Sequence, residues 1–350
     1  MAAEIHDVLI IGAGPAGLAV AARLRESTPS AVFTDAEHSR YQWIKKHNGR
    51  MNIRSSKDAG SESQRRRRGE GNAMKESPSS DLDIKVLDGS GDSWLQTWES
   101  NFSALSISHL RSPMFFHPCP RDRDGLLAFA HESGAAEKCI EIANCVGKSM
   151  SKHRRKRKVA NGCSVGCSTA RAPLEIDERD RKDYFVPSAE TFHGFCEEIV
   201  HRYGLESSVE KARVVSIEFD FPDAFGLQDY GGQTDMRIFK IKTSCGQVRF
   251  ARVAVLAVGA GGSPNMPREL SAAEAEGATH STKIPEKGLL PHYLRKKILA
   301  RCLTCVMIVG GGLTAAQIAD ECIASGVSRV VMIMRSGLKR TSFAPLDNWQ

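Results

Sequence analysis

The sequence predicts an α/β fold built on a parallel sheet, and three observations carry that expectation. A β-branched run, Val8-Leu9-Ile10-Ile11, passes through a glycine-rich turn into a string of helix formers, Leu18 to Leu24. The same order of strand, glycine turn and helix returns at Val306 to Ala324. Between them, segments within residues 212–256 read as strands, Val214 to Phe219 with clear alternation.

In chain order, Ala31-Val32-Phe33-Thr34-Asp35 reads as a strand ending on an acid, expected to pair in parallel with Val8 to Ile11 and so complete a βαβ opening. From Arg54 to about Asp83 the apolar period dissolves into Ser, Gly, Glu and Arg, which predicts a flexible insertion. Order returns near Trp94 and Trp98 and continues through Leu105 to Pro113, with a helix over Gly125 to Glu132. A second polar stretch, Lys148 to Arg171, reads as a surface loop. Pro187-Ser188 opens a helix whose Phe192, Phe195, Cys196, Ile199 and Val200 keep helical spacing until Tyr203-Gly204. Strands are expected at 214–219, 237–242 and 247–256, the last two joined through Cys245-Gly246. After the second glycine turn, a strand runs from Val330 to Met334 and ends at Arg335.

Composition bounds the function classes. At 350 residues the chain exceeds what one core usually carries, so two domains, or one plus an inserted module, are expected. With 41% hydrophobic and 25% charged residues it is neither wholly disordered nor collagen-like. The net charge is +7, yet nine cations lie in two runs, Arg65 to Arg68 and Arg154 to Lys158; without them 39 basic residues face 41 acidic ones. The basic character is local, and no general nucleic-acid surface is implied. No apolar stretch reaches the roughly 18 residues of a membrane span. Val8 to Ala22 imitates a signal-peptide core, but Glu4 and Asp7 stand where positive charge belongs and Pro15 breaks the run. Ten cysteines at irregular positions fit reduced thiols and a cytoplasmic setting, the basic runs leaving nuclear import as an alternative.

The chemistry is carried by the two turns. Gly12-Ala13-Gly14-Pro15-Ala16-Gly17 matches the dinucleotide fingerprint in its full context: strand before, helix after, and Asp35 23 positions beyond Gly12. The first glycine allows the tight turn, the second lets backbone approach a pyrophosphate, and the third permits close helix–strand packing. Free amides and the positive end of the helix favour the anion, and Asp35 would accept hydrogen bonds from a ribose. An ordinary βα turn with spare glycines is the alternative. The second motif, Gly310-Gly311-Gly312-Leu313-Thr314-Ala315, ends in Ala, and its following strand ends in Arg335 in place of an acid. A guanidinium pairs with a 2′-phosphate that a carboxylate would repel, so NADPH is expected there over NADH. A nicotinamide donates hydride and a flavin is its usual acceptor, which assigns FAD to the first turn. The chain is then expected to hold two Rossmann-like units. An FAD-binding domain covers 1–300, with a small antiparallel sheet and insertions about 55–82 and 150–172, and the start of an NADPH-binding unit covers 301–350. Val215 and Gly259 complete the candidate cofactor-binding set.

These residues resemble the NADPH-dependent flavin monooxygenases, particularly the ornithine N-hydroxylase group and related fungal FAD proteins. The likeness extends through Trp43 to Met51, His109-Leu110-Arg111-Ser112-Pro113, Tyr184 to Phe192, Leu256-Ala257-Val258-Gly259 and His280-Ser281. The fingerprint of the flavin-containing monooxygenases is incomplete, with only Gly277 near that His. The animal oxidative-stress-induced growth inhibitors look similar too, so no substrate is inherited. The resemblance implies that NADPH reduces FAD and that the reduced flavin uses oxygen to hydroxylate a nucleophilic nitrogen of a small substrate. In the family the nicotinamide module continues well past the arginine strand, whereas this sequence stops at Gln350; a C-terminally truncated, non-catalytic FAD-binding protein is the expectation that competes with turnover.

Other features read more plainly. Cys302-Leu303-Thr304-Cys305 would serve a flavin-dependent disulfide reductase if exposed beside the flavin, but it enters a strand expected to be buried. Cys163 and Cys167 lack partners at zinc spacing, so no metal is expected. Trp94 and Trp98 read as core anchors, and His109, His117 and His280 as hydrogen-bonded structural residues. No catalytic side chain stands out.

Overall fold

The computed structural model describes residues 4–30, 82–142, 178–227, 236–259, 266, 269–335 and 337. Ala31 to Asp35, Trp43 to Met51 and nearly all of 55–82 and 150–172 lie outside the described residues. The described strands are β1 (Ile5–Ile11), β2 (Ile84–Asp88), β3 (Ile140–Glu141), β4 (Phe185–Val186), β5 (Val209–Lys211), β6 (Val214–Asp220), β7 (Ile238–Thr243), β8 (Val248–Leu256), β9 (Cys305–Val309) and β10 (Arg329–Ile333). The α-helices are α1 (Pro15–Arg25), α2 (Gln96–Ala104), α3 (Gly125–Glu132), α4 (Ala189–Arg202), α5 (Ala272–Gly277), α6 (Ile284–Lys287), α7 (His292–Leu299) and α8 (Leu313–Ala324).

Six strands form one sheet in the order β5-β2-β1-β8-β7-β6. Its parallel half is centred on β1, which pairs with β2 on one side and β8 on the other. Period-two alternation sends Val8 and Ile10 to one face and Leu9 and Ile11 to the other, and both faces are buried. On the first face Leu18, Ala21 and Ala22 of α1 meet Phe192, Phe195, Cys196 and Ile199 of α4. On the second, Leu9, Ile11 and Leu87 pack with Ile241 and Ala251 of the antiparallel strands. Those strands are continuous with the parallel half. The start of β8 pairs with β7, while the strand runs alongside β1 as far as Leu256.

Residues 8–11 are engaged on both edges, by 84–87 and by 253–256, while the strand expected beside them, 31–35, lies outside the described residues. The neighbour of β1 that ends on an acid is β2, with Asp88.

Local rules account for the helices around the sheet. Ser188 caps α4 by accepting from the Thr191 amide at 3.1 Å, and Gly204 follows the helix in the left-handed region (φ +60°). Trp94 is buried and donates its indole N–H to the Leu205 carbonyl at 2.9 Å, while Trp98 stacks on Phe102.

Beyond the large sheet, β9 and β10 pair in parallel as a two-stranded sheet bridged by α8. Leu290 and Leu294 pack against Cys322 and Val327, so α7, although it precedes residue 301, shares a core with α8 and the approach to β10. The expected burial of β9 is only half met: Ile308 is buried, but Cys305, Met307 and Val309 are exposed, because a strand in a two-stranded sheet has one covered face. None of the described helices is long and apolar enough to cross a membrane.

Candidate functional site

Both glycine turns are built on one plan. β1 ends at Ile11, and the Gly12 amide donates to the Leu87 carbonyl of the neighbouring strand at 2.8 Å; β9 ends at Val309, and the Gly310 amide donates to Ile333 of its neighbour at 2.9 Å. Gly12 (φ +112°) and Gly310 (φ +146°) both need the freedom of glycine. Gly12 is also required sterically, since a Cβ there would fall on the Ala257 carbonyl where β8 ends. At Gly17 a Cβ would overlap the Gly12 carbonyl oxygen, whereas the corresponding position of the second turn is Ala315, whose Cβ lies 3.6 Å from the place a Gly310 Cβ would take. Gly311 has a different reason, a Cβ there lying 2.9 Å from the Met334 side chain.

Gly14 and Gly312 behave otherwise. They are the N-caps of α1 and α8, in extended backbone that any residue adopts, and nothing lies within 4 Å of the place a Cβ would take. The protein's own packing gives no reason for glycine at either position, whereas a pyrophosphate laid against the backbone does. Neither helix has a side-chain cap or an acidic residue in its first turn, so first-turn amides and the positive helix end remain available to an anion. By contrast Ser188 caps α4, and Ser271 with Glu274 forms a capping box on α5.

The two helix starts share a cavity of about 490 Å³. Pro15, Ala16 and Ala19 line it from α1, and Leu313, Thr314 and Gln317 from α8. Trp98, Phe102, Phe116 and Phe192 make much of the wall, and the His109-Leu110-Arg111-Ser112 segment supplies the polar part. Ala13 is buried and gives its amide to Asp88 Oδ2 at 2.8 Å, while the other oxygen, Oδ1, accepts from the Ser90 amide. Gly259 sits in the turn that follows β8, after Ala257 and Val258, which abut Gly12. Val215 projects outward from β6 at a bulge, its strand starting where Arg213 packs near Gly89. Arg335 is exposed just past β10, next to the residue that abuts Gly311. Asp35 lies outside the described residues.

The histidines of the wall are held in place. His117 Nε2–H donates to the Arg123 carbonyl at 2.8 Å and Nδ1 accepts from the Cys119 amide. Burial pushes this imidazole below its ordinary range, against the opposing pull of that carbonyl, Asp122 and Asp124, and keeps it neutral. His109 Nε2 lies 2.8 Å from the Lys138 carbonyl. Cys302 and Cys305 are exposed, yet neither lines the cavity, and Cys305 begins β9 at the end opposite the glycine turn, about 15 Å away at strand rise.

Sequence reasoning passed over Asp88 and Gln317. Asp88 carried a visible signal, a short apolar strand ending on an acid, but it stands 76 positions after Gly12. Gln317 carried none.

With this geometry in hand, residues 227–350 match the family model described as L-lysine 6-monooxygenase/L-ornithine 5-monooxygenase. The match covers the C-terminal third of the chain. No curated protein matches the chain. Among solved structures, an ornithine N-hydroxylase of Kutzneria sp. 744 with reduced FAD, NADP+ and L-ornithine is 18% identical over 96% of this chain and 54% of its own, with a TM-score of 0.47. The ornithine hydroxylase PvdA of Pseudomonas aeruginosa is 16% identical, covering 95% and 55%, with a TM-score of 0.45. The bacillithiol disulfide reductase of Staphylococcus aureus is 13% identical, covering 98% and 61%, with a TM-score of 0.38. The chain thus spans between half and two thirds of the length of these structures.

Proposed function

We propose that the chain forms the cofactor-binding part of an FAD- and NADPH-dependent monooxygenase that hydroxylates a nucleophilic nitrogen of a small substrate with oxygen. The observation that carries the reading is the pair of uncapped helix starts, each with a glycine only a ligand explains, facing one cavity. Residues 1–300 supply the FAD domain and 301–350, with α7 packed against them, the start of the NADPH domain.

The first-turn amides of α1 would hold the FAD pyrophosphate. Asp88, at the end of the strand beside β1, takes the ribose role that spacing gives to Asp35. The α8 amides would hold the NADPH pyrophosphate and Arg335 the 2′-phosphate. When bound, NADPH supplies the hydride, and FAD the acceptor and the oxygen chemistry. The apolar wall of Trp98, Phe102 and Phe192 excludes water from between them, and neutral His117 fixes the loop behind it without moving a proton. A disulfide reductase is not supported, because neither Cys302 nor Cys305 reaches the cavity.

Adding NADPH to FAD-loaded protein without oxygen, then admitting air, tests the reading. Bleaching of the flavin absorbance followed by reoxidation with oxygen uptake is expected. A stable yellow protein that ignores NADPH would make it a non-catalytic FAD-binding protein.

A further inference from the structure

Gln317 lies on the cavity face of α8, one helical turn after Leu313, and bonds to the first unit. Its side-chain N–H donates to the Leu105 carbonyl at 3.1 Å. Leu105 is the C-cap of α2, where helix carbonyls lack intrahelical partners, and its own side chain is buried, so the acceptor is fixed. The Gln317 side-chain oxygen accepts from Arg111 Nη2 across a longer 3.4 Å contact. Both polar ends of one amide are therefore spent on the 105–111 segment, which forms the opposite wall of the same cavity. Leucine at 317 could make neither bond. Glutamate would keep the Arg111 contact and set an acceptor against the Leu105 carbonyl.

We propose that Gln317 is a positioning residue, its amide clamping the helix of the second glycine turn to the wall of the first unit and so setting how the two dinucleotides meet across the cavity. The inference rests on the proposed function for its kinetic consequence but not for the clamp itself.

The test uses the full FAD-loaded chain as wild type, Gln317→Ala and Gln317→Glu. Amide hydrogen exchange reads the clamp. Residues 105–111 and 313–317 are expected to exchange at least about five-fold faster in Gln317→Ala, with Gln317→Glu between it and wild type. Anaerobic stopped-flow reads the positioning. The flavin reduction rate at saturating NADPH is expected to fall about 10- to 100-fold in Gln317→Ala, with FAD content kept and the half-saturating NADPH concentration moved less than about two-fold. Unchanged exchange in both segments overturns the clamp. Faster exchange with an unchanged saturating rate overturns the positioning role, as does loss of FAD from both variants in step with unfolding. If NADPH does not reduce the wild-type flavin, the functional reading fails and the kinetic consequence with it, while the exchange experiment still decides the clamp.

Discussion

The two glycine turns differ less in plan than in setting. The first lies at the centre of a six-stranded sheet with both faces of β1 buried, and its turn is so tight that Gly12 and Gly17 are fixed by neighbouring backbone. The second lies in a two-stranded sheet with Met307 and Val309 exposed, and its turn has room for Ala315. One is required by the fold around it; the other is held by α7 and by Gln317. In both, the open glycine has no reason in the protein's own packing. Substitutions at matching positions should therefore separate into those that break the fold, those that break binding in a stable fold, and those that only tune it.

Gly17→Ala should have the largest effect. The methyl overlaps the Gly12 carbonyl, backbone against backbone, and no rotamer relieves it. A destabilisation of about 3 kcal/mol or more is expected, read by urea unfolding. Ala315→Gly at the matching position should cost only about 1 kcal/mol, the propensity difference. Equal losses at the two sites would break the comparison.

Gly14→Val comes next. Its Cβ meets nothing in the protein, so the variant should unfold within about 1 kcal/mol of wild type yet purify colourless. Gly312→Val should stay yellow and lose nicotinamide binding, measured by fluorescence quenching. A fully yellow Gly14→Val protein would remove the first turn as the FAD site. Asp88→Ala should weaken FAD by about 1.5–3 kcal/mol, one to two decades, through loss of a charged acceptor that also braces the Ala13 amide. Asp35→Ala should cost less if Asp88 holds the ribose; the reverse order in FAD titrations would return that role to Asp35.

These positions show what can be read from a linear sequence. The glycine turns were legible because their constraint is local: a positive φ at Gly12 and a Cβ clash between Gly17 and a carbonyl five residues earlier are properties of the motif itself. The α4 cap at Ser188 was legible for the same reason. The neighbour of β1 was not, because strand pairing is decided by competition over distance, and Ile84 to Asp88 follows a long polar stretch that hides its short apolar pattern. Cys305 was expected to be buried on strand character alone, but burial depends on how many strands lie alongside. The cavity could not be read at all, since Phe102, Arg111 and Gln317 meet only through folding.

A smaller effect concerns how firmly each glycine helix is anchored at its far end. Glu26 ends α1 and is buried, which pushes its carboxyl up; hydrogen bonds from the Tyr203 hydroxyl at 2.7 Å and from Thr28, with the charge of Arg121, outweigh burial and hold it below its ordinary 4.5. A carboxyl lowered in the folded state contributes stability above its unfolded value and loses it as pH falls through the folded one. Tyr203→Phe should therefore destabilise the chain by about 1.5 kcal/mol at neutral pH, with the deficit shrinking as pH falls below the ordinary carboxyl value. A deficit that stays constant through that range would show that packing, and not the Glu26 charge, carries the anchor.

The smallest effect belongs to Arg335, and it is the one confined to the second turn. Its guanidinium is exposed, so water screens whatever it pairs with, and an exposed charge pair contributes about 0.2–1 kcal/mol. Arg335→Ala should leave flavin content and unfolding unchanged. NADPH should bind up to about five-fold more weakly while NADH is unaffected, because only NADPH carries the 2′-phosphate. The salt dependence sharpens this: the preference for NADPH in the wild type should shrink as ionic strength rises, and the variant should show little of that dependence. Equal weakening of both nucleotides would mean that Arg335 shapes the loop after β10 and does not read the phosphate. That outcome would leave the second turn with a pyrophosphate site and no basis for choosing between the two nicotinamides.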